Sequence, residues 1–538
     1  MSTDMSLPAT GQLPGALATA LAPSALAPPA PVPPAPTPPV PAPPAPPPAP
    51  PPAPAAGAGA LSLAPAPPAM GAPTAPGAPP SPLDLLRKHW SHAQFRGVQE
   101  AAIAAALAGR DVFVRMATGG GKSICFQVAG LMLSGTTIVV SPLISLMQDQ
   151  VAALKGRGIA AGYLGSQADE DAWQPATRGA LRFLYIMPET AMTERFGALL
   201  GGMPCALLAI DEAHCVSEWG HDFRPAYTCL HTLRELLPGA AVMALTATAT
   251  PEARLDVARN LRLRDDHLDL RTSVDRPNLG YRVLPKPPGA RARDTLLRAV
   301  AADRAMSIVY VPTTREVDEV HEGLQALGVA SRPYHAKLPA AERTDSHARF
   351  SAGEVRVIVA TLAFGMGIDQ PDVRRVFHWG PPKSVEAYYQ QSGCAGRDGQ
   401  PADCLMWVSP ADWCKVERIA LSDSSQPDRD RRSVRALRDY CEAASCRRQR
   451  LAAYFGESVA PCGVCDACAA ARSPSAQGSV RDATEDARRL LQAARDCGGY
   501  VGLSTMVACL RGDCAKYAWL ASKPSYGTQP RAGLPAAR

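Results

Sequence analysis

Ala117-Thr118-Gly119-Gly120-Gly121-Lys122-Ser123 joins three consecutive glycines to a lysine and a hydroxyl. It follows a short β-rich run, Asp111–Met116 (DVFVRM), and opens a helical pattern, Lys122–Leu133. That strand–loop–helix setting is the one in which such a sequence cradles phosphates. Without Cβ atoms, the backbone N–H groups can approach phosphate oxygens closely, and the helix N-terminus adds positive potential. Thr118, Gly119, Gly120 and Gly121 would line the cradle. Lys122 would reach the β- and γ-phosphates, and the Ser123 hydroxyl would hold Mg²⁺. The strict pattern begins with a glycine where this chain has Met116, and a plain glycine turn is the simpler alternative.

Asp211-Glu212-Ala213-His214 ends an apolar run, Cys205–Asp211. A carboxylate there, Asp211, can hold Mg²⁺ beside the phosphate loop, while Glu212 orients or deprotonates the attacking water. A solvated strand end is the bland alternative. Gln390-Gln391-Ser392-Gly393-Cys394-Ala395-Gly396-Arg397 places a glutamine and an arginine on a glycine-rich turn. Gln390 and Arg397 could reach a nucleotide held elsewhere, the arginine stabilising charge on the transferring phosphoryl group. Alone, this stretch could be an ordinary surface loop. Cys446, Cys462, Cys465 and Cys468 are spaced C-x15-C-x2-C-x2-C, and four thiolates on a tight turn suit tetrahedral Zn²⁺. Iron–sulfur ligation and a set of free thiols are the alternatives. Cys441 lies nearby with poorer spacing.

Two α/β units are expected to position these groups. Strand candidates Asp111–Met116, Thr136–Ser141, Leu181–Met187, Cys205–Asp211 and Ala241–Thr246 alternate with helical segments. The pattern restarts with Ser307–Val311, Val355–Thr361, Arg375–Trp379 and Cys404–Val408. Apolar strands separated by helices predict parallel sheets covered on both faces. Asp275-Arg276-Pro277-Asn278 is the hinge candidate. After residue 410 the sequence becomes helical and arginine-rich. Residues 1–82 hold 29 of the 54 prolines and a single charged residue, Asp4. Such a segment buries too little surface to order itself and is read as a disordered, Pro-rich tail. The net charge of +6 is too weak to argue for nucleic acid by itself. No apolar run is long enough for a membrane span. The N-terminus lacks a basic n-region and has no arginine through residue 82, against a secretory signal or transit peptide. Fifteen mostly scattered cysteines fit a reducing compartment with one metal site.

The chain resembles the RecQ family of DNA helicases, nearest the Werner-syndrome type. The matching stretches are Phe95–Gln99, Met116–Gln127 (MATGGGKSICFQ), Val140–Val151, Asp211–Arg224 (DEAHCVSEWGHDFR), Ala244–Thr250 and Asp275–Leu279. They continue with Tyr334-His335-Ala336, Ala360–Asp369, Pro382–Gln391 and Cys446–Phe455, all in family order. The Met116 start is similar to the Werner-type phosphate loop. The resemblance implies that His92, Arg96 and Gln99 contact adenine, and that His214 belongs to the catalytic DEAH set. It implies that Thr246 and Thr248 couple nucleotide state to strand contacts. Ser141, Trp219, Phe223, Arg224, Thr248, His335 and Thr361 would touch DNA, the two aromatics by stacking on bases. Core packing of Trp219 and Phe223 is the alternative. The four cysteines match the layout of the RecQ-type zinc module.

The resulting expectation is an α/β chain: a disordered tail (1–82), RecA-like domains 83–274 and 275–410, a helical zinc module (411–472) and a partial winged-helix segment and tail (473–538). Its function would be ATP-dependent 3′→5′ DNA unwinding in repair or recombination. ATP, Mg²⁺ and Zn²⁺ would be its cofactors, single-stranded and partly duplex DNA its substrate, and the nucleus its location. Two departures qualify this. Cys394 stands where the family has an arginine, which leaves open a catalytically impaired nucleic-acid-binding scaffold. The winged-helix match stops after Asp482–Tyr517, with no recognisable wing hairpin. SH3- or WW-type partners could read the tail, a passive linker being its plainer role. An RNA helicase with the same chemistry is a further alternative.

Overall fold

The computed structural model describes residues 80–165, 170–218, 224–289, 291–361, 370–422, 424–472, 484–499, 501–513 and 518–528. Residues 1–79 of the Pro-rich tail, Trp219, Phe223 and residues 362–369 lie outside them. The first helix starts one residue before the expected domain edge. Ser81 caps the helix Pro82–Trp90 through a reciprocal box with Asp84.

Seven strands build the first sheet: β1 (Val112–Arg115), β2 (Thr136–Val140), β3 (Ala161–Leu164), β4 (Phe183–Ile186), β5 (Cys205–Ile210), β6 (Ala241–Thr246) and β7 (Leu268–Arg271). They lie in the order β3-β4-β2-β5-β6-β1-β7, all parallel. Alternate residues feed two cores. Phe113, Ile138, Val140, Leu208 and Ile210 face one, while Val112, Val114, Val139, Leu207 and Ala209 face the other. This two-sided burial is why the strands read as apolar runs instead of alternating ones. The phosphate loop leaves β1, and the acidic motif leaves β5, two places away in the same sheet. Both therefore open at the carboxyl edge, where parallel sheets bind ligands.

The second sheet holds β8 (Leu279–Pro285), β9 (Ser307–Tyr310), β10 (Ser331–Tyr334), β11 (Val357–Ala360), β12 (Arg375–Trp379) and β13 (Ala402–Val408) in the parallel order β10-β11-β9-β12-β13-β8. Its core does not stop at residue 410. Val434, Leu437, Tyr440, Leu451 and Phe455, from the helices Pro427–Glu442 and Arg447–Tyr454 and the residue that follows, bury into the same cluster as Ile308, Tyr388 and Met406. The helical module is thus welded to the second sheet. Beyond it come the helices Thr484–Asp496 and Leu503–Arg511, with Cys497, Cys509 and Leu520 buried between and beside them. A winged-helix hairpin has no counterpart among the described residues. No helix among them is long and apolar enough to cross a membrane.

Candidate functional site

β1 delivers the glycine loop directly onto a helix N-terminus. The helix Lys122–Met132 has no side-chain cap, so its first N–H groups remain available to an anion. Met116, in place of the expected glycine, is buried beneath the loop with its sulfur 4.0 Å from that of Cys125. Its carbonyl accepts from Lys122 Nζ at 3.4 Å. The substitution is therefore accommodated in the core and leaves the phosphate side unobstructed. Gln99 is buried on the loop: its amide donates to the carbonyls of Gly120 (3.2 Å) and Gly121 (3.0 Å), and its Oε1 accepts from Arg96 N (2.9 Å). In this structure its side chain holds the loop. His92 is half-buried and Arg96 exposed nearby in the chain.

Asp211 ends β5, buried, and its Oδ1 accepts from Glu212 N at 3.0 Å. Burial, then the adjacent Glu212 charge, pushes its carboxyl up to about 6, against the pull of Lys122. Glu212 sits in the left-handed region (φ +48°), unusual for a branched-free acidic residue and a local strain. Glu212 Oε2 lies 3.3 Å from His214 Nδ1, and the same nitrogen is 3.0 Å from Thr246 Oγ1. Thr246 Oγ1 also accepts from Thr248 N (3.2 Å). A continuous polar path thus runs from the acidic motif on β5 to the loop after β6. A second path, which sequence reading passed over, runs from Asp211 to Gln150 and on through Tyr185 OH (2.9 Å) to Gln127 (3.2 Å). Both glutamines fall inside the quoted family stretches, but nothing in their spacing marks them as partners.

The two sheets meet at this loop. A methyl group at Gly119 would come 3.0 Å from Arg397 Cγ, and one at Gly393 would come 3.1 Å from Thr118 Cβ. Only a glycine at 119 lets the arginine stem lie on the phosphate loop. Arg276, from the hinge, bonds both sides: Nη1 donates to Thr118 O (3.3 Å), and Nη2 to Ala395 O (3.0 Å) and Gly396 O (2.9 Å). Arg276 was named only as part of a hinge. Its family stretch was the available signal, and its partners are backbone atoms that no sequence pattern reveals. Gln390 is carried on the helix Val385–Ser392, whose neighbour Gln391 is bonded to His378 at 2.9 Å. Cys394 is buried against Tyr310 OH (3.9 Å) and accepts from Arg397 Nη2 (3.8 Å).

Of the candidate DNA residues, Ser141, Thr248 and His335 are buried, yet Ser141 Oγ, Thr248 Oγ1 and His335 Nδ1 have no hydrogen-bond partner among the described residues. Buried polar atoms are rarely left so. His335 is oriented by Asp318, 3.1 Å from its Nε2. Arg224 donates to Pro142 O (2.8 Å), beside Ser141. Thr361 N donates to Tyr334 O (3.3 Å), placing it next to His335.

The four cysteine sulfurs lie within 4.8 Å of one another, which fits one tetrahedral cation. Backbone N–H groups point at them: Cys462 N to Cys446 Sγ (3.2 Å), Cys465 N to Cys462 Sγ (3.4 Å) and Arg447 N to Cys465 Sγ (3.4 Å). Burial opposes ionisation of Cys446, but hydrogen bonds from Cys462 and Gln449 bring its thiol down to about 7. Burial raises the thiols of Cys462 and Cys468, so it is the convergence of the four sulfurs that suits a metal better than four free thiols. Arg447, buried, braces the cluster by a fork onto Asp466 (2.7 and 3.1 Å) and by Tyr440 O and Ala443 O. Cys441 is not among the ligands; it packs in the second core.

Three family models match this chain: a DEAD/DEAH box helicase over residues 96–256, a helicase conserved C-terminal domain over 292–399, and RecQ zinc-binding over 410–469. The ATP-dependent DNA helicase RecQ of Pasteurella multocida is 39% identical over 438 residues, covering 80% of this chain and 68% of that protein. The ATP-dependent helicase wrn-1 of Caenorhabditis elegans is 37% identical over 452 residues, covering 80% of this chain and 43% of its own. Among solved structures, the helicase MrfA bound to DNA aligns with a TM-score of 0.53 at 15% identity, over 64% of this chain and 53% of that one. That likeness is one of fold. Nucleotide binding by the first sheet and zinc binding by the cysteine module accord with these matches.

Proposed function

The chain belongs to the RecQ family of ATP-dependent DNA helicases, and from that premise we propose that it hydrolyses ATP between its two sheets to move along single-stranded DNA. One observation carries the reading: Arg397 of the second sheet's domain lies on Gly119 of the first domain's phosphate loop, with Arg276 fastening the two together. A nucleotide on that loop would have its terminal phosphate facing an arginine from the opposite lobe, the arrangement that makes hydrolysis sensitive to closure.

In this mechanism the loop N–H groups and Lys122 hold the β- and γ-phosphates. Ser123 and Asp211 offer a hydroxyl and a carboxylate, a donor set that fits Mg²⁺, which when bound neutralises phosphate charge. Glu212, backed by His214, takes a proton from the attacking water. Gln390 and Arg397 complete the site from the second domain, Arg397 stabilising charge as the phosphoryl group departs. Loss of the γ-phosphate removes what Arg397 grips, so the lobes part. His214–Thr246–Thr248 carries that change toward Ser141, Thr248, His335 and Thr361; Ser141 Oγ, Thr248 Oγ1 and His335 Nδ1, without a partner among the described residues, suit strand phosphates. Arg224 adds charge, and Trp219 and Phe223 supply stacking faces. His92, Arg96 and Gln99 contact the adenine end.

The relatives' names support DNA over RNA as the strand; 3′→5′ as the direction and repair or recombination as the setting are what the family resemblance implies. Bacterial and animal relatives match at similar identity, so the location follows the chromosome, the nucleus where a cell has one. We give residues 1–82 the role of a linker, with SH3- or WW-type partners as the alternative reading of their composition. The scaffold reading rested on Cys394, and the burial of Cys394 beside Arg397 weighs against it. ATPase measured with and without single-stranded DNA tests the whole. Wild type should far exceed a Lys122→Ala control; equal rates would overturn the motor.

A further inference from the structure

We propose that Glu457, in the turn after the helix Arg447–Tyr454, is a positioning residue that ties the cysteine module to the ATP seam. This rests on the ATPase reading, for which Glu457 belongs to none of the expected motifs.

The Glu457 carboxylate gathers three groups from far earlier in the chain. It accepts from Ser273 Oγ at 2.7 Å, takes Val274 N on both oxygens at 3.1 Å, and pairs with Arg115. Arg115 is the last residue of β1, one position before the phosphate loop, and is buried. Its other Nη donates to Phe455 O (3.0 Å). Ser273 and Val274 immediately precede the hinge stretch Asp275–Asn278. Its first residue, Asp275, pairs with Arg448 at 2.6 Å. Phe455 packs on Tyr389, ring centres 4.9 Å apart, and Tyr389 OH donates to Val274 O at 3.0 Å. Gly456 has φ +78°, and a Cβ there would strike Pro251 Cγ at 2.9 Å. The turn is therefore wedged among β1, the hinge and the start of the helix Pro251–Asn260.

The consequence lies in residue order. Glu457 and Arg448 fix residues 273–275, leading into and opening the hinge, and residue 276 is the arginine that joins Thr118 O to Ala395 O and Gly396 O. The cysteine module thus sets the base from which Arg276 reaches. That base fixes how the loop bearing Arg397 is presented to the phosphate loop. Loosening it should spare nucleotide capture, which the first domain performs alone, and slow the step that needs Arg397.

The test uses the full chain with its zinc content measured. Glu457→Gln keeps side-chain size and one acceptor but loses the charge on Arg115; Arg448→Gln loosens the hinge from the other contact. Each should lower DNA-stimulated kcat about tenfold while KM for ATP stays within about twofold, the signature of a contact used only in the transition state. Amide exchange at Val274, whose N–H is held by Glu457, should quicken in Glu457→Gln. A variant that only melts lower, with wild-type kcat per folded molecule and unchanged exchange at Val274, overturns the proposal. Should wild type fail to exceed Lys122→Ala, the ATPase reading falls by itself. Exchange at Val274 then still judges the tie: quickened exchange upholds the contact and unchanged exchange rejects it.

Discussion

The Tyr310 hydroxyl meets the Cys394 sulfur across 3.9 Å inside the core of the second domain, whereas Arg397, three residues later, lies on Gly119 of the first. The two positions of one turn therefore face different surroundings. The seam charge falls to Arg397, since the Cys394 thiol is spent against Tyr310, the Gln390 carbonyl and the Arg397 guanidinium. Arg397→Gln should cut DNA-stimulated kcat by at least ~10³, the lower range for an arginine finger. Cys394→Ser, which keeps size and hydrogen bonding, should stay within about threefold. Steady-state ATPase on both variants decides, and a Cys394→Ser loss matching that of Arg397→Gln would reverse the assignment.

The cysteine module should stand or fall with its metal. Cys465 is the most enclosed sulfur and accepts N–H bonds from Arg447 and Cys468. Structural zinc contributes apparent binding energies of ~10–16 kcal/mol in isolated modules, comparable to a whole domain's net stability. Cys465→Ser should therefore release zinc and lower the melting temperature of the entire second domain, because Tyr440, Leu451 and Phe455 belong to its core. A chromogenic chelator should count one zinc per wild-type chain. Zinc loss with an unchanged melting curve would show the module to be merely appended.

Asp211 sets a cost that the bare protein carries at neutral pH. Its carboxyl is raised from 3.8 to about 6 by burial and by Glu212. Between those values the folded chain holds the proton and the unfolded chain has lost it. Stability therefore falls as pH rises through that window and levels off above it. The span corresponds to at most ~3 kcal/mol. Asp211→Asn should abolish ATPase yet melt above wild type at neutral pH, with the gain shrinking toward pH 5. Calorimetry without nucleotide or Mg²⁺ checks this, and a gain that grows on acidification would contradict it.

Sequence legibility followed the physics of each element. Strands buried on both faces announced themselves as apolar runs, so β1, β2, β5, β6 and β12 fell where expected. The edge strands β3, β7 and β10 were missed: Leu268–Arg271 (LDLR) and Ser331–Tyr334 (SRPY) are short, half-exposed and mix charge or proline into the run. β8, at the other edge, was hidden by its exposed residues and terminal proline. The cysteine cluster was legible because metal spacing is local in sequence. Arg276, Glu457 and Gln150 were not, because their partners lie far along the chain and, for Arg276, are carbonyls that every residue possesses.

The proposed strand contacts are of two kinds, hydroxyls without a partner among the described residues and a guanidinium. Ser141 Oγ and Thr248 Oγ1 are neutral, so a phosphate bound to them displaces no counterion of theirs. Arg224 is charged and does. Ser141→Ala and Thr248→Val should each weaken single-stranded DNA binding by ~2–10-fold, the value of one hydrogen bond. The slope of log affinity against log salt should not change. Arg224→Gln should weaken binding too, but should flatten that slope by about 0.7, one phosphate's share on a single strand. Fluorescence anisotropy of a labelled oligodeoxynucleotide at several salt concentrations distinguishes them. If Thr248→Val flattened the slope as Arg224→Gln does, the loss would come from the displaced basic groups around the cleft, and the hydroxyls would not be touching the strand.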